Sequence, residues 1–145
     1  MKQPGVLLIF FIFIATVGFV LAQRQQGGRP LSTTLNGAEE VPGPGDPDGT
    51  GKIEIALNPG QGQMCYELTA ANIATATAAH IHSGTKGVAG PVLVTLTAPA
   101  PGIAKGCATL DKDKIDDIIK NPDAYYVNVH NADYPEGAIR GQLAK

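Results

Sequence analysis

Residues 52–70 read KIEIALNPGQGQMCYELTA. From Lys52 the chain alternates: Ile53, Ile55 and Leu57 point one way, Glu54 and Ala56 the other. That is the period of a half-buried strand. Asn58-Pro59-Gly60-Gln61-Gly62 makes a turn, and Gln63 to Ala70 returns as a second strand carrying Cys65 and Tyr66. The pattern continues outward. Upstream, Leu31 to Leu35 forms a short strand, followed by Asn36 to Pro42 and a loop saturated with Pro, Gly and Asp, PGPGDPDGTG. Downstream, strand-like runs occur at Ala78–His82, Val92–Thr97, Ile103–Leu110, Tyr125–His130 and Ala138–Leu143. Glycine-rich residues 83–91 and the Ala98-Pro99-Ala100-Pro101-Gly102 break separate the middle three. One helix is expected over 111–120: Asp111 as N-cap, Ile115, Ile118 and Ile119 at helical spacing, Lys120 in the last turn and Pro122 beyond. Many short, evenly spaced strands with a single helix predict an all-β fold, a Greek-key antiparallel β-sandwich or barrel.

The two ends differ from this body. Val6 to Ala22, VLLIFFIFIATVGFVLA, is an apolar run behind Lys2, with Val20 and Ala22 suited to a secretory cleavage site. Residues 1–22 therefore read as a signal peptide, or as a retained N-terminal anchor. Either places the remainder outside the cytoplasm: secreted, periplasmic or at the cell surface. No Cys follows the run, which argues against a lipid anchor. Residues 23–30 read as a disordered leader and residues 31–145 as one domain.

All four Phe lie in the apolar run and the chain has no Trp, so the domain core must be made of Val, Ile, Leu and Ala. Without Lys2, the 11 Lys and Arg of the whole chain fall to 10, against 13 Asp and Glu. An acidic domain of this kind disfavours nucleic acid and anionic lipid, which call for a basic patch. A membrane role arises only if the N-terminal segment is retained. The two cysteines, Cys65 and Cys107, both fall in strand-like runs. Export favours a Cys65–Cys107 disulfide over two buried thiols, and no CxxC pair suggests a metal thiolate.

The chain has three histidines, His80, His82 and His130. His80 and His82 alternate on one face of a strand, with Ile81 opposite. His130 ends a run in which Val127 and Val129 point opposite to Asn128 and His130. With the aliphatic sides turned to the core, the three imidazoles lie on the outer face, under loops. Neutral imidazole suits copper and zinc, and Cα atoms roughly 6.5–7 Å apart along a strand allow two rings to lean toward one ion. The predicted ligands are His80, His82 and His130, for copper first and zinc second. The fourth position falls to water or an oxygen ligand; Asp133, Tyr134 and Glu136 are closest in sequence, though a solvated loop is the commoner reading of those three. The ordinary alternative is hydrogen bonding of the rings to loop backbone.

Other chemistries find little support. Ser32 and Ser83 are the only serines and neither has a nucleophile-elbow context. Gly84, Gly87 and Gly90 lack the Lys-Ser/Thr of a phosphate loop and read as turn geometry near the histidine face. Asp46 and Asp48 faintly suggest a calcium loop without its bidentate Glu. No cofactor other than the metal is expected.

AEEVP, a Gly/Pro loop, AAHIHSGTKGVAGPVLVTL and NPDAYYVNVHNADYPEGAIRGQL stand in an order and spacing that resembles the chordin-type (CHRD) domain family, over about Leu31 to Leu143. One departure is Ala138, where the family usually has Glu before Ile-Arg-Gly-Gln. The resemblance implies a secreted or surface-exposed β domain, and its occurrence in an extracellular signalling antagonist makes an extracellular protein partner, and a non-catalytic interaction role, the alternative to metal binding. A looser likeness to copper-zinc superoxide dismutases lies in the HxH strand, an intramolecular disulfide and a ligand from a late strand. It admits superoxide-dismutase-like copper chemistry as an activity. Here no further His exists to bridge a second metal, and no late Arg beside a glycine-rich lid is assigned. Glu40 and Arg140, in motif segments near opposite ends of the domain, offer a charge-assisted bond locking the first strand against the last; ordinary solvated charges are the commoner alternative.

Overall fold

Tyr66 explains why the sheet curls almost shut. Its side chain points inward from the third strand, and its hydroxyl accepts the Thr97 N–H at 2.8 Å, just past the fifth strand. A Cβ at Gly106 would lie 2.7 Å from that hydroxyl, so the sixth strand needs glycine where the ring passes. The computed structural model describes residues 28–144. The signal-peptide or anchor segment and all but the end of the predicted leader lie outside them. Among the described residues no helix is long and apolar enough to cross a membrane.

Eight strands make one antiparallel sheet: β1 (Arg29–Asn36), β2 (Thr50–Asn58), β3 (Gln63–Ala71), β4 (Ala76–Ser83), β5 (Val92–Leu96), β6 (Ile103–Thr109), β7 (Tyr125–Asn131) and β8 (Ile139–Gln142). Their order is β5-β4-β7-β8-β1-β2-β3-β6, a nearly closed barrel with its seam between β5 and β6. The expected all-β fold with one short helix is what forms. Helix α1 (Lys112–Lys120) buries Ile115 and Ile118, and Asp117 accepts a hydrogen bond from the Tyr125 hydroxyl at the start of β7. Asp111 is at the N-cap position, but its side chain makes no capping hydrogen bond.

The alternation seen at 52–57 holds in β2, whereas β7 is buried on both faces because the lid and the neighbouring side chains cover its outer side. Ile53, Ile55 and Leu57 are buried against Leu68, Ile81, Val127, Val129 and Ile139, an aliphatic core completed by Met64 and Tyr66. Cys65 and Cys107 are cross-strand partners on the outer side of β3 and β6 and form the expected disulfide. It pins the edge strand β6 to β3. Closing a loop of 42 residues stabilises by about 3–4 kcal/mol in the chain-entropy account.

Backbone hydrogen bonds hold the loop of residues 42–49. Gly45 N–H donates to Gly37 O at 2.9 Å and Asp46 N–H to Ala138 O at 2.8 Å. This packs the first loop onto the β7–β8 turn, and a Cβ at Gly37 would fall 1.9 Å from Asp46 O. Asp46 and Asp48 belong to no cluster of metal-ligating side chains among the described residues.

Candidate metal centre

β4 and β7 are neighbours, and their register places His80 opposite Asn128, His82 opposite Tyr126 and Ala78 opposite His130. His130 is thus one step diagonal to His80 on the same face. Behind the rings, Ile81, Val127 and Val129 are fully buried in the core, so the outward direction read from the alternation is the one found. A bulge opposite β5 falls between Ile81 and His82, a device that re-aims a side chain.

The three imidazoles meet. One ligand atom from each of His80, His82 and His130 lies within 4.8 Å of the others. His80 Nδ1 and His130 Nε2 are 3.1 Å apart, with ring centroids at 5.0 Å. His82 is 8% exposed, and His80 and His130 are half-buried.

Backbone carbonyls fix two of the rings. His82 Nδ1 donates to Gly90 O at 2.8 Å, and His130 Nδ1 donates to Pro135 O at 3.0 Å. A carbonyl only accepts, so each Nδ1 carries the hydrogen and each neutral ring keeps its lone pair on Nε2. Burial, then the neighbouring His130 and His82, push the His80 pKa down. Burial likewise pushes His130 down, opposed by the Pro135 carbonyl. Both effects favour the neutral, metal-competent ring.

The glycine-rich residues 83–91 form the lid over His82. A Cβ at Gly90 would lie 1.6 Å from Ser83 O, and one at Gly84 3.0 Å from the Tyr126 ring. Glycine is required for the close approach that puts Gly90 O on the imidazole. Tyr126 stacks on His82 at 4.7 Å and 6° between planes. From β8, the Arg140 guanidinium carbon lies 3.4 Å from the Tyr126 ring centroid, and Arg140 Nη2 donates to Thr85 O at 3.1 Å. A late arginine therefore does sit beside the glycine-rich lid, which the sequence reading left unassigned.

Two expectations are corrected. Asp133 and Glu136 do not join the cluster; Pro135 contacts it, through its carbonyl. Glu40 and Arg140 form no ion pair within 4.0 Å. Arg140 is spent on Tyr126 and Thr85, while Glu40 lies against the β7–β8 turn at Gly137, where a Cβ would be 2.4 Å from its carboxylate. The first and last strands are joined by backbone pairing instead, at Asn36 and Arg140. Buried at 4% exposure, with Oε1 lacking a hydrogen-bond partner, Glu40 has its pKa raised to about 7. Burial outweighs the opposing pull of Arg140 and the Val41 backbone.

Asn128 was missed as a site residue. Its Oδ1 lies 3.0 Å from His82 Nε2 and 3.1 Å from His130 Nε2. The signal was present: Tyr126, Asn128 and His130 alternate on one strand face. The CHRD domain family model matches residues 31–143. No curated protein and no solved structure matches the chain.

Proposed function

Because the chain belongs to the CHRD domain family, we propose that it acts outside the cytoplasm as a single-domain holder of one transition-metal ion, copper before zinc, bound by His80, His82 and His130. The family is of extracellular type, and the Cys65–Cys107 disulfide is consistent with export. One observation carries the metal reading: imidazole nitrogens from two strands converge within 4.8 Å while backbone carbonyls hold the Nδ1 hydrogens of His82 and His130 outward. A carbonyl on the far nitrogen of each ring orients it as a ligand. Two ligands at about 2.0 Å from one ion and at the tetrahedral angle stand about 3.3 Å apart, and the 3.1 Å between His80 Nδ1 and His130 Nε2 is close to that. Bound there, copper would supply a high-affinity centre; the chain's residues orient the rings and limit access through the 83–91 lid.

Titration of the purified protein with copper and zinc, beside His80→Ala/His82→Ala, tests this. Sub-micromolar binding lost in the variant is expected, and equal binding by both proteins refutes it. Metal-dependent removal of superoxide by the loaded protein then separates an enzyme from a carrier. A second reading, a non-catalytic interaction module, draws on the same hydrogen bonds. His82 and His130 staple the loops at Gly90 and Pro135 to the sheet, a structural role that needs no ion.

A further inference from the structure

The histidine cluster contains more lone pairs than hydrogens. His82 and His130 each spend their one N–H on a backbone carbonyl, which leaves both Nε2 atoms as acceptors. Between them lies Asn128 Oδ1, 3.0 Å from one and 3.1 Å from the other, and also an acceptor. Asn128 is 3% exposed. His80 Nδ1, 3.1 Å from His130 Nε2, can give that nitrogen its one hydrogen. His82 Nε2 and Asn128 Oδ1 remain two buried acceptors 3.0 Å apart, and they repel unless a cation lies between them or a donor is turned inward.

We propose that Asn128 Oδ1 is the fourth ligand of the metal held by His80, His82 and His130, closing the coordination shell with protein atoms. This rests on the reading of the histidines as a metal site. The side chain has two useful orientations. Oxygen inward, it completes three nitrogens and one oxygen around an ion. Turned by 180°, its NH2 offers a hydrogen to each Nε2 and satisfies the metal-free protein; an amide's two ends have nearly the same shape. The same residue thus keeps the cluster ordered in both states. The donor set is neutral, because the nearby carboxylates Asp133 and Glu136 are exposed and outside the cluster. Four protein donors mark a holding site; catalytic centres keep a position free for substrate. The fold therefore points to storage or transfer of the ion rather than turnover at it.

The test uses the full protein and three variants, titrated with Cu(II) and then exposed to azide. Asn128→Ala is expected to bind Cu(II) about 10- to 100-fold more weakly and to develop an azide-to-copper absorption band that the wild type lacks. Asn128→Asp, which keeps an oxygen in place, should bind at least as tightly as wild type and exclude azide, and it covers the case in which Asn128→Ala does not fold. A wild type that binds copper and takes azide as readily as Asn128→Ala overturns the fourth ligand and leaves the histidine site standing. So does an Asn128→Asp protein that binds more weakly than wild type. A wild type that binds no copper, like His80→Ala/His82→Ala, overturns both.

Discussion

His82 and Tyr126 stack nearly parallel, and Arg140 lies against the same tyrosine from the strand on its other side. β4, β7 and β8 each contribute one layer to this column, and the glycine-rich lid is tied to both its ends, through Gly90 and Thr85. The column gives His82 a fixed wall as well as a fixed hydrogen bond. A ligand ring held on two sides loses little freedom on binding an ion.

Arg140→Ala should therefore do two things. It removes a buried guanidinium from the ring and from Thr85 O, costing about 2–3 kcal/mol of stability. It also frees the lid, so metal affinity falls. Denaturant unfolding and copper titration of the same preparation check the pair; an unchanged unfolding midpoint refutes the column.

Gly90→Ala and Gly37→Ala separate the lid from the fold. Each added Cβ would collide with a backbone oxygen, at 1.6 Å and 1.9 Å respectively, so each should cost at least about 2 kcal/mol. Gly90→Ala alone displaces the carbonyl that His82 uses, and alone should also weaken metal binding.

Glu40 gives stability a limb that runs with acid. Its folded pKa is raised from 4.5 to about 7, so the folded state holds a proton that the unfolded state releases between those values. The contribution is fully present below 4.5 and is lost as pH rises through 7, about 3 kcal/mol in all. Glu40→Gln cannot lose a proton; its stability relative to wild type should rise steadily from pH 4.5 to 8. Parallel curves for the two proteins would remove the assignment.

The histidines act in the opposite sense. His80 and His130 have pKa values lowered below 6.5, so below that pH the unfolded chain takes up protons that the folded rings resist. Stability from these groups is whole above 6.5 and is lost as pH falls through their folded values. Bound metal should leave over the same acid range, since protons compete for the same lone pairs. Copper retention measured from pH 7.5 to 5 should fall as the rings charge.

The disulfide lies away from all this, between β3 and β6. Cys65→Ser/Cys107→Ser should lose about 3–4 kcal/mol with metal affinity unchanged. A joint loss would mean that the β3–β6 edge and the histidine face are coupled.

The strands were legible because aliphatic residues recur with a two-residue rhythm: Ile53, Ile55 and Leu57 in one segment, Ile81 in another, Val127 and Val129 in a third. The same rhythm put the three imidazoles on one side. What it could not supply was neighbourhood. That β7 lies beside β4 is a long-range pairing, and only that pairing turns Asn128, two residues from His130, into a contact of His82. Arg140 shows the limit from the other direction. Paired with Glu40 on charge alone, it found a better partner in the Tyr126 face that the pairing of β7 with β8 brings next to it. The Gly90 and Pro135 carbonyls carry no side-chain signal at all; the glycine spacing announced a close approach to the histidine face without saying which backbone atom would make it.

The strands that carry the histidines have hydrocarbon on one side and imidazole on the other, so cohesion and chemistry are written in alternate letters of the same words. A lineage could erase the rings, or exchange them for other donors, without touching the aliphatic layer beneath. Domains of this kind are thus free to share a scaffold while differing in what, if anything, they carry on its outer wall.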